Sequence, residues 1–247
     1  MARIDHDIDR FLCCHKGFQQ GGGVLQVHVG AAQARGLDIT TEAYPYIAGA
    51  APFASPNDAD WETWPGDAFE QFSLPATGEI LSRESFGRYR AAGGLVVVAL
   101  NTEENLRWVL ASSPAVIVSF GELRDGVAHP RLAGTYARVL GHYVREEGVL
   151  TLMDALRRMT LKPAQRLEAR APAMRNKGRI RVGADADITI FDTATILDRA
   201  TYAEPLRPSA GIRHVLVDGV LVVSDGQLNN DVAPGRPIRA PMQEPTR

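Results

Sequence analysis

Two continuous apolar runs constrain the fold of this chain more than any other feature. Residues 95–100 read Leu-Val-Val-Val-Ala-Leu, and residues 115–119 read Ala-Val-Ile-Val-Ser. Helical patterns over 82–92 and 103–111 alternate with these runs. Apolar strands without a polar face are typical of a parallel sheet that helices cover on both sides. The sequence therefore predicts an α/β fold.

The charge balance limits the classes of partner. The 247 residues carry 27 Lys and Arg against 29 Asp and Glu, which gives a net charge of −2. A nearly neutral chain favours neither nucleic-acid binding nor a polybasic membrane anchor. No apolar run approaches the roughly 18 residues that cross a bilayer, and the charged start does not fit a signal peptide. We therefore expect a cytoplasmic protein that binds a small molecule, with no nucleic acid and no membrane as partner.

A long irregular segment interrupts the α/β pattern. Residues 44–78 contain five prolines and scattered aromatic residues without a sustained period. Because aromatic side chains favour burial, we interpret the segment as an insertion or lid at about 44–80 rather than as a linker.

The last third of the chain changes from helical to strand-rich. Two helical patterns between residues 132 and 167 give way to segments at 178–192 and 211–226 that are rich in β-branched residues. An Asp-Gly pair in the second segment predicts a hairpin turn. The sequence thus predicts two domains, an α/β domain over 1–175 and a small β domain with a loose tail over 176–247.

Two residues are candidates for binding chemistry on local grounds. His15 closes a short apolar stretch, so it is either a metal ligand at a strand end or a partly buried structural histidine. His129-Pro130-Arg131 follows a buried strand, and its fixed bend would present Arg131 for bidentate recognition of a carboxylate. Alternatively, Arg131 caps the sheet or pairs with Glu122 or Asp125.

Three motifs resemble those of one known family. Residues 36–46, 129–146 and 183–187 resemble the D-aminoacylase (N-acyl-D-amino-acid deacylase) branch of the amidohydrolase superfamily, in the order of that family. The resemblance implies a partial TIM-like (β/α) barrel, with the C-terminal strands and helices only, followed by a small β-sandwich. It also implies a metal-dependent hydrolase in which zinc activates water to attack a linear amide bond.

The resemblance assigns roles to individual residues. Arg131 matches the arginine of the family's His-Pro-Arg motif, and Tyr44 or Tyr46 matches the tyrosine of its Tyr-Pro-Tyr motif. In the family these two groups hold the carboxylate of the substrate. His15 matches a metal-binding histidine, which makes it the expected zinc ligand in this chain.

The general-base position departs from the family pattern. Phe120 stands where the family has the aspartate of Ser-Asp-Gly, and only Glu122 or Asp125 could substitute for that aspartate. Two functions therefore stay open. The first is a deacylase that hydrolyses a linear amide. The second is a truncated or degenerate non-catalytic remnant that binds a carboxylate ligand or a partner chain covering the open barrel edge.

Overall fold

A computed structural model of the chain describes residues 29–53, 60–112, 115–119, 121, 123 and 126–241. The chain divides into two compact units. The first unit comprises Met1–Ile39, Tyr46–Ser113 and Leu123–His129, and the second comprises Thr40–Pro45, Pro114–Glu122 and Pro130–Arg247. The domain boundary near residue 175 stays a prediction.

Strands and helices follow one another along the described chain in a mixed α/β arrangement. The strands are β1 (Glu42–Ala43), β2 (Ala48–Pro52), β3 (Phe72–Ser73), β4 (Leu95–Ala99), β5 (Val116–Ile117), β6 (Ile188–Phe191), β7 (Ile212–Val217), β8 (Val220–Ser224) and β9 (Gln227–Leu228). The α-helices are α1 (Arg83–Ala92), α2 (Glu103–Ser112), α3 (Arg131–Arg138), α4 (Leu152–Leu156) and α5 (Lys162–Leu167).

The described chain also contains 3₁₀-helical and π-helical segments. The 3₁₀ segments are Trp61–Thr63, Gly66–Gln71 and Pro172–Asn176, and the π-helical segments are Val139–Glu146, which extends α3, and Arg157–Leu161, which joins α4 to α5. Among the described residues, every helix is too short or too polar to cross a bilayer.

The first unit contains an antiparallel sheet in the order β2-β4-β3. Its central strand β4 is the apolar run predicted at 95–100, and it pairs antiparallel with both neighbours, Ala48 opposite Ala99 and Phe72 opposite Val98. The prediction of parallel pairing was wrong for this run. Continuous hydrophobicity reports burial on both faces of a strand and carries no information on the direction of its neighbours.

Helix α1 has clear start and stop signals in the first unit. The Ser82 hydroxyl accepts the Ser85 amide at 3.1 Å, and the Ser85 hydroxyl accepts the Ser82 amide at 2.9 Å, which forms a capping box. The helix ends at Gly93 and Gly94, whose φ angles are 83° and 106°. Glycine adopts these angles without strain, so the chain turns directly from α1 into β4.

An aromatic cluster forms the core of the first unit. Phe69 and Phe86 are fully buried, with ring centroids 5.4 Å apart, and Phe72 lies 5.0 Å from Phe86. Trp61 and Trp64 pack against the same cluster. Four of these five residues come from the irregular segment at 44–78; Phe69 and Phe72 are buried, and Trp61 and Trp64 are partly buried.

The second unit holds a parallel strand pair and a separate antiparallel sheet. β1 pairs parallel with β5, Glu42 opposite Val116 and Ala43 opposite Ile117. The parallel prediction is therefore confirmed for the run at 115–119. The second sheet has the order β6-β7-β8-β9 and is antiparallel throughout.

The predicted Asp-Gly hairpin joins β7 to β8. Asp218 and Gly219 have φ angles of 50° and 78°, the positive values that a type I′ turn requires. The segment at 178–192 forms a strand only over Ile188–Phe191. Ile180 and Val182 are almost completely exposed, so this part of the segment lacks the buried face that stabilises a strand.

The carboxylates of residues 183–187 have a structural role in the second unit. Lys177 Nζ lies 2.9 Å from Asp185 and also pairs with Asp187. Asp187 accepts the backbone N–H of Asp218 at 2.8 Å. Hydrogen bonds from Lys177 and from the Asp218 backbone lower the pKa of Asp187. This motif therefore anchors the β7–β8 turn.

Replacing Phe86 with alanine should destabilise the first unit by about 3–5 kcal/mol, because the change leaves a cavity among five packed aromatic rings. Urea unfolding followed by tryptophan fluorescence measures the loss. Ile80→Ala, at a side chain that is 61% exposed, is the control and should change the free energy of unfolding by less than about 0.5 kcal/mol. Equal losses in the two variants would contradict an aromatic core.

Candidate functional site

Two parallel strands end side by side in the second unit. The Val118 amide donates to the Ala43 carbonyl at 3.2 Å, which continues the register of β1 and β5 to their carboxyl ends. Tyr44 follows β1, and Ser119 lies just beyond β5. In α/β folds, binding and catalytic groups lie at the carboxyl ends of parallel strands.

Two hydroxyl groups attach the start of α3 to the end of β5. The Ser119 hydroxyl donates to the Arg131 carbonyl at 3.1 Å, and the Thr135 Oγ1 lies 2.8 Å from both of these oxygens. Thr135 is only 2% exposed, so little water competes for these bonds. A Cβ at Gly121 would lie 2.5 Å from Leu132 Cδ1, which shows how closely the chain after β5 approaches the helix. The first turn of α3 is thus fixed at the strand ends.

Arg131 and Tyr44 meet at this position. Pro130 is the N-cap of α3 and Arg131 is its first residue. The guanidinium carbon of Arg131 lies 5.1 Å from the centroid of the Tyr44 ring. Burial raises the pKa of Tyr44 above its ordinary value of 10.0, while the charge and a hydrogen bond of Arg131 oppose the rise. The Tyr44 phenol is therefore neutral at pH 7 and keeps its O–H donor.

A second phenol, Tyr202, belongs to the same group of side chains. Burial raises its pKa to about 12, the nearby Tyr44 adds to the rise, and the charges of Arg131 and Arg138 oppose it. The loop that carries Tyr202 is held by two hydrogen bonds, Glu204 N–H to Thr201 Oγ1 at 3.0 Å and Ser209 Oγ to the Ala133 carbonyl at 3.0 Å. Sequence reasoning missed Tyr202 because it stands in no motif and 71 residues after Arg131.

The last residue of α3, Arg138, contacts the residue after Tyr44. Its Nε donates to the Pro45 carbonyl at 2.8 Å, and its Nη1 lies 3.6 Å from Asp198 Oδ2. The guanidinium carbon also lies 5.7 Å from the ring centroid of Tyr143, which is fully buried. Arg131 and Arg138 thus place two positive charges along one helix.

His129 and Tyr46 contact each other in the first unit. His129 is 2% exposed, and its Nε2 donates to the Ala48 carbonyl at 2.7 Å. Its ring packs edge-on against Tyr46 with centroids 4.9 Å apart. Of the two tyrosines that the sequence left as alternatives, the structure therefore brings Tyr44 to Arg131 and packs Tyr46 against His129.

Four predicted site residues lie outside the described residues. They are the expected metal ligand His15, and Phe120, Glu122 and Asp125 from the general-base position.

His142 has the chemistry of a metal ligand and lies between two carboxylates. Its Nδ1 lies 3.2 Å from Glu146 and its Nε2 lies 3.2 Å from Glu147. The hydrogen bond from His142, followed by that from Arg145, lowers the pKa of Glu146. Each ring nitrogen of His142 thus faces a different carboxylate. Within either unit taken by itself, the described residues bring no three His, Cys or carboxylate donors together.

The sequence is similar to enzymes named for the removal of acyl groups from D-amino acids. The model of the amidohydrolase family matches residues 71–223. An N-acyl-D-glutamate deacylase from Alcaligenes xylosoxydans xylosoxydans is 34% identical over 225 residues, which are 86% of this chain and 43% of that protein. A D-aminoacylase from the same organism is 32% identical over 200 residues, 78% of this chain and 40% of that protein.

The fold is similar to that of a solved deacylase. The N-acyl-D-glutamate deacylase from Bordetella bronchiseptica, complexed with zinc and a phosphonate mimic of the tetrahedral intermediate, superposes with a TM-score of 0.75 at 27% identity. The match covers 90% of this chain and 47% of that one, so the chain spans a little under half the length of its relatives. Since the family model covers more than half of the chain, the protein belongs to the amidohydrolase family, in its D-aminoacylase branch.

Proposed function

We propose that the protein is a zinc-dependent amidohydrolase of N-acyl-D-amino acids, and that its described residues bind the substrate carboxylate. Water cleaves the amide C–N bond in this reaction, and the products are a carboxylate from the acyl group and a free amino acid. The observation that carries the proposal is the Arg131 guanidinium beside the Tyr44 phenol at the ends of two parallel strands. The 34% identity to an N-acyl-D-glutamate deacylase supports this class of substrate.

The two groups are chemically suited to a carboxylate. The planar guanidinium of Arg131 offers parallel N–H donors that match both oxygens of a carboxylate. The neutral phenol of Tyr44 adds an O–H donor without adding negative charge. A partly buried position strengthens these hydrogen bonds, because the local dielectric constant is lower than that of water.

The proposed architecture is a partial TIM-like barrel followed by a small β-sandwich, with the boundary near residue 175. The parallel pair β1–β5 and the separate sheet β6–β9 support the two parts of this proposal. A cytoplasmic location and a partner chain that covers open strand edges also stay predictions.

Zinc is the metal of this proposal because the deacylase from Bordetella bronchiseptica was solved with zinc. Bound zinc lowers the pKa of a coordinated water and polarises the amide carbonyl. His15 is the proposed ligand in this chain. In this proposal the described residues Arg131 and Tyr44 bind and orient the substrate through its carboxylate.

One observation favours a second candidate function, a carboxylate-binding protein without catalysis. Phe120 occupies the position of the general-base aspartate in the family's Ser-Asp-Gly motif, and a phenyl ring can neither accept a proton nor bind a metal. In this alternative Arg131 and Tyr44 bind the same class of ligand, and no bond is cleaved.

Arg131→Lys should weaken the binding of a carboxylate ligand roughly tenfold, because an ammonium group replaces a bidentate contact by a single one. A suitable probe is the ketomethylene analogue of N-acetyl-D-glutamate, in which a CH₂ group replaces the amide N–H, so that no hydrolysis occurs. Isothermal titration calorimetry gives its dissociation constant.

Arg207→Lys is the matched control, since Arg207 belongs to the same unit and its side chain is 43% exposed beside Glu204. This variant should bind like the wild type. If Arg131→Lys also binds like the wild type, Arg131 does not hold the carboxylate.

The affinity for the same analogue should stay constant from pH 7 to pH 9.5 and fall above pH 10. The raised pKa of Tyr44 keeps its phenol protonated below the ordinary value of 10.0, and the phenolate that forms at higher pH repels a carboxylate. Tyr44→Phe should weaken binding at pH 7 about tenfold, because one hydrogen bond to a charged group is lost.

Tyr46→Phe removes the same hydroxyl from the other tyrosine of the motif and serves as the control. A loss of affinity in Tyr46→Phe without a loss in Tyr44→Phe would reverse the assignment of the two tyrosines.

Phe120→Asp should raise kcat for N-acetyl-D-glutamate in zinc-containing buffer by roughly 10²-fold, because it restores a general base. Release of acetate, measured by a coupled assay, reports the rate. Phe120→Asn is the control, because asparagine has the shape of aspartate but accepts no proton. This variant should keep the wild-type rate. If the wild type binds the analogue and yet releases no acetate from N-acetyl-D-glutamate, the non-catalytic candidate is the correct one.

A further inference from the structure

Helix α3 contacts two consecutive residues of the Tyr44-Pro45-Tyr46 motif. Arg131 and Arg138 are seven residues apart, which is about two helical turns, so they lie on the same face of the helix. Arg131 lies against the Tyr44 ring, and the Arg138 Nε donates to the Pro45 carbonyl at 2.8 Å. The first residue of α3 thus contacts the Tyr44 side chain, and the last residue binds the Pro45 backbone.

The Arg138 guanidinium is itself held in place. Its Nη1 lies 3.6 Å from Asp198 Oδ2, and the Asp198 side chain is only 12% exposed. Its central carbon lies 5.7 Å from the ring centroid of the fully buried Tyr143. An ion pair, an aromatic ring and a carbonyl therefore constrain the group on three sides, which makes it a rigid support for the Pro45 peptide.

A fixed Pro45 carbonyl leaves the backbone at Tyr44 little freedom. The proline ring locks φ of Pro45, and its bulk restricts Tyr44 to extended backbone conformations. Holding the carbonyl fixes ψ of Pro45 and so anchors the chain immediately after Tyr44. The β1–β5 pairing fixes the chain on the other side of Tyr44.

We propose that Arg138 is a positioning residue that acts through the Pro45 carbonyl to hold the Tyr44 phenol beside Arg131, and thereby raises the affinity of the site for a carboxylate. Arg138 does so without touching the ligand. This inference rests on the proposed function for its ligand, and it adds a residue that the Tyr-Pro-Tyr and His-Pro-Arg motifs do not include.

A double-mutant cycle tests the route of this effect. The variants are Arg138→Lys, Tyr44→Phe and the combination of both, and the measurement is the dissociation constant of the ketomethylene analogue. Lysine keeps the charge but loses the donor geometry at Pro45, so Arg138→Lys should weaken binding about fivefold. If Arg138 acts through Tyr44, the double variant should bind within twofold of Tyr44→Phe alone. If the dissociation constant of the double variant rises by the product of the two single-variant factors, the proposal is overturned.

Arg145→Lys is the matched control for this cycle. Arg145 lies in the helical extension of α3, and its side chain is 29% exposed, compared with 27% for Arg138. It also donates to a backbone carbonyl, that of Ile196. Because that carbonyl belongs to neither Tyr44 nor Pro45, the control should bind the analogue like the wild type. An equal loss in both Lys variants would show a general structural effect and overturn the proposal.

A readout without ligand separates this inference from the proposed function. Selective ¹³C labelling of tyrosine Cζ, with Tyr44→Phe used to assign the signal, gives the pKa of Tyr44 by NMR titration. In Arg138→Lys this pKa should fall toward 10.0, since a phenol released from its position is hydrated, and in Arg145→Lys it should not change. An unchanged Tyr44 signal in Arg138→Lys overturns the positioning role, whereas a wild type that fails to bind the analogue overturns only the proposed ligand.

A second variant keeps the test decisive if Arg138→Lys does not fold. Asp198→Asn removes the charge that holds Arg138 and retains the size of the side chain. It should shift the Tyr44 signal and the dissociation constant in the same direction as Arg138→Lys, by a smaller amount. No shift in either measurement would overturn the proposal.

Discussion

The candidate site depends on the attachment of the first turn of α3 to the end of β5. Ser119, Thr135 and the Arg131 carbonyl form a compact group of hydrogen bonds in a position that little water reaches. Buried hydrogen bonds of this kind are costly to break, because the separated groups would stay unsolvated. The attachment therefore fixes the position of the Arg131 backbone. The contact of the Arg131 guanidinium with Tyr44 depends on that position.

Two phenols and one carboxylate interact with the arginines of α3. Burial raises the pKa of Tyr44 and of Tyr202, so both phenols are neutral at pH 7. Asp198 is placed at Arg138, where the positive charge supports the backbone. The arrangement gives Arg138 a structural role, while Arg131 is the residue to which the proposed function assigns the carboxylate.

The first unit shows how an aperiodic sequence can still build a core. Residues 44–78 have neither helical nor strand periodicity, yet Phe53, Phe69 and Phe72 from this segment pack around Phe86 of α1. Large rings bury enough apolar surface to order short strands and 3₁₀ turns that have little intrinsic stability. Side-chain size here compensates for the missing pattern.

The sequence by itself determined the α/β class, the helix over 82–92, the Asp218-Gly219 hairpin and the shared role of a His-Pro-Arg arginine and a Tyr-Pro-Tyr tyrosine, because local patterns and motifs encode each of them. Only the tertiary structure decided that β4 pairs antiparallel, that Tyr44 rather than Tyr46 lies against Arg131, and that Tyr202 and Arg138 join the group. Strand direction and contacts between distant residues depend on how the connecting segments fold. The spacing of residues within one segment carries no information on this.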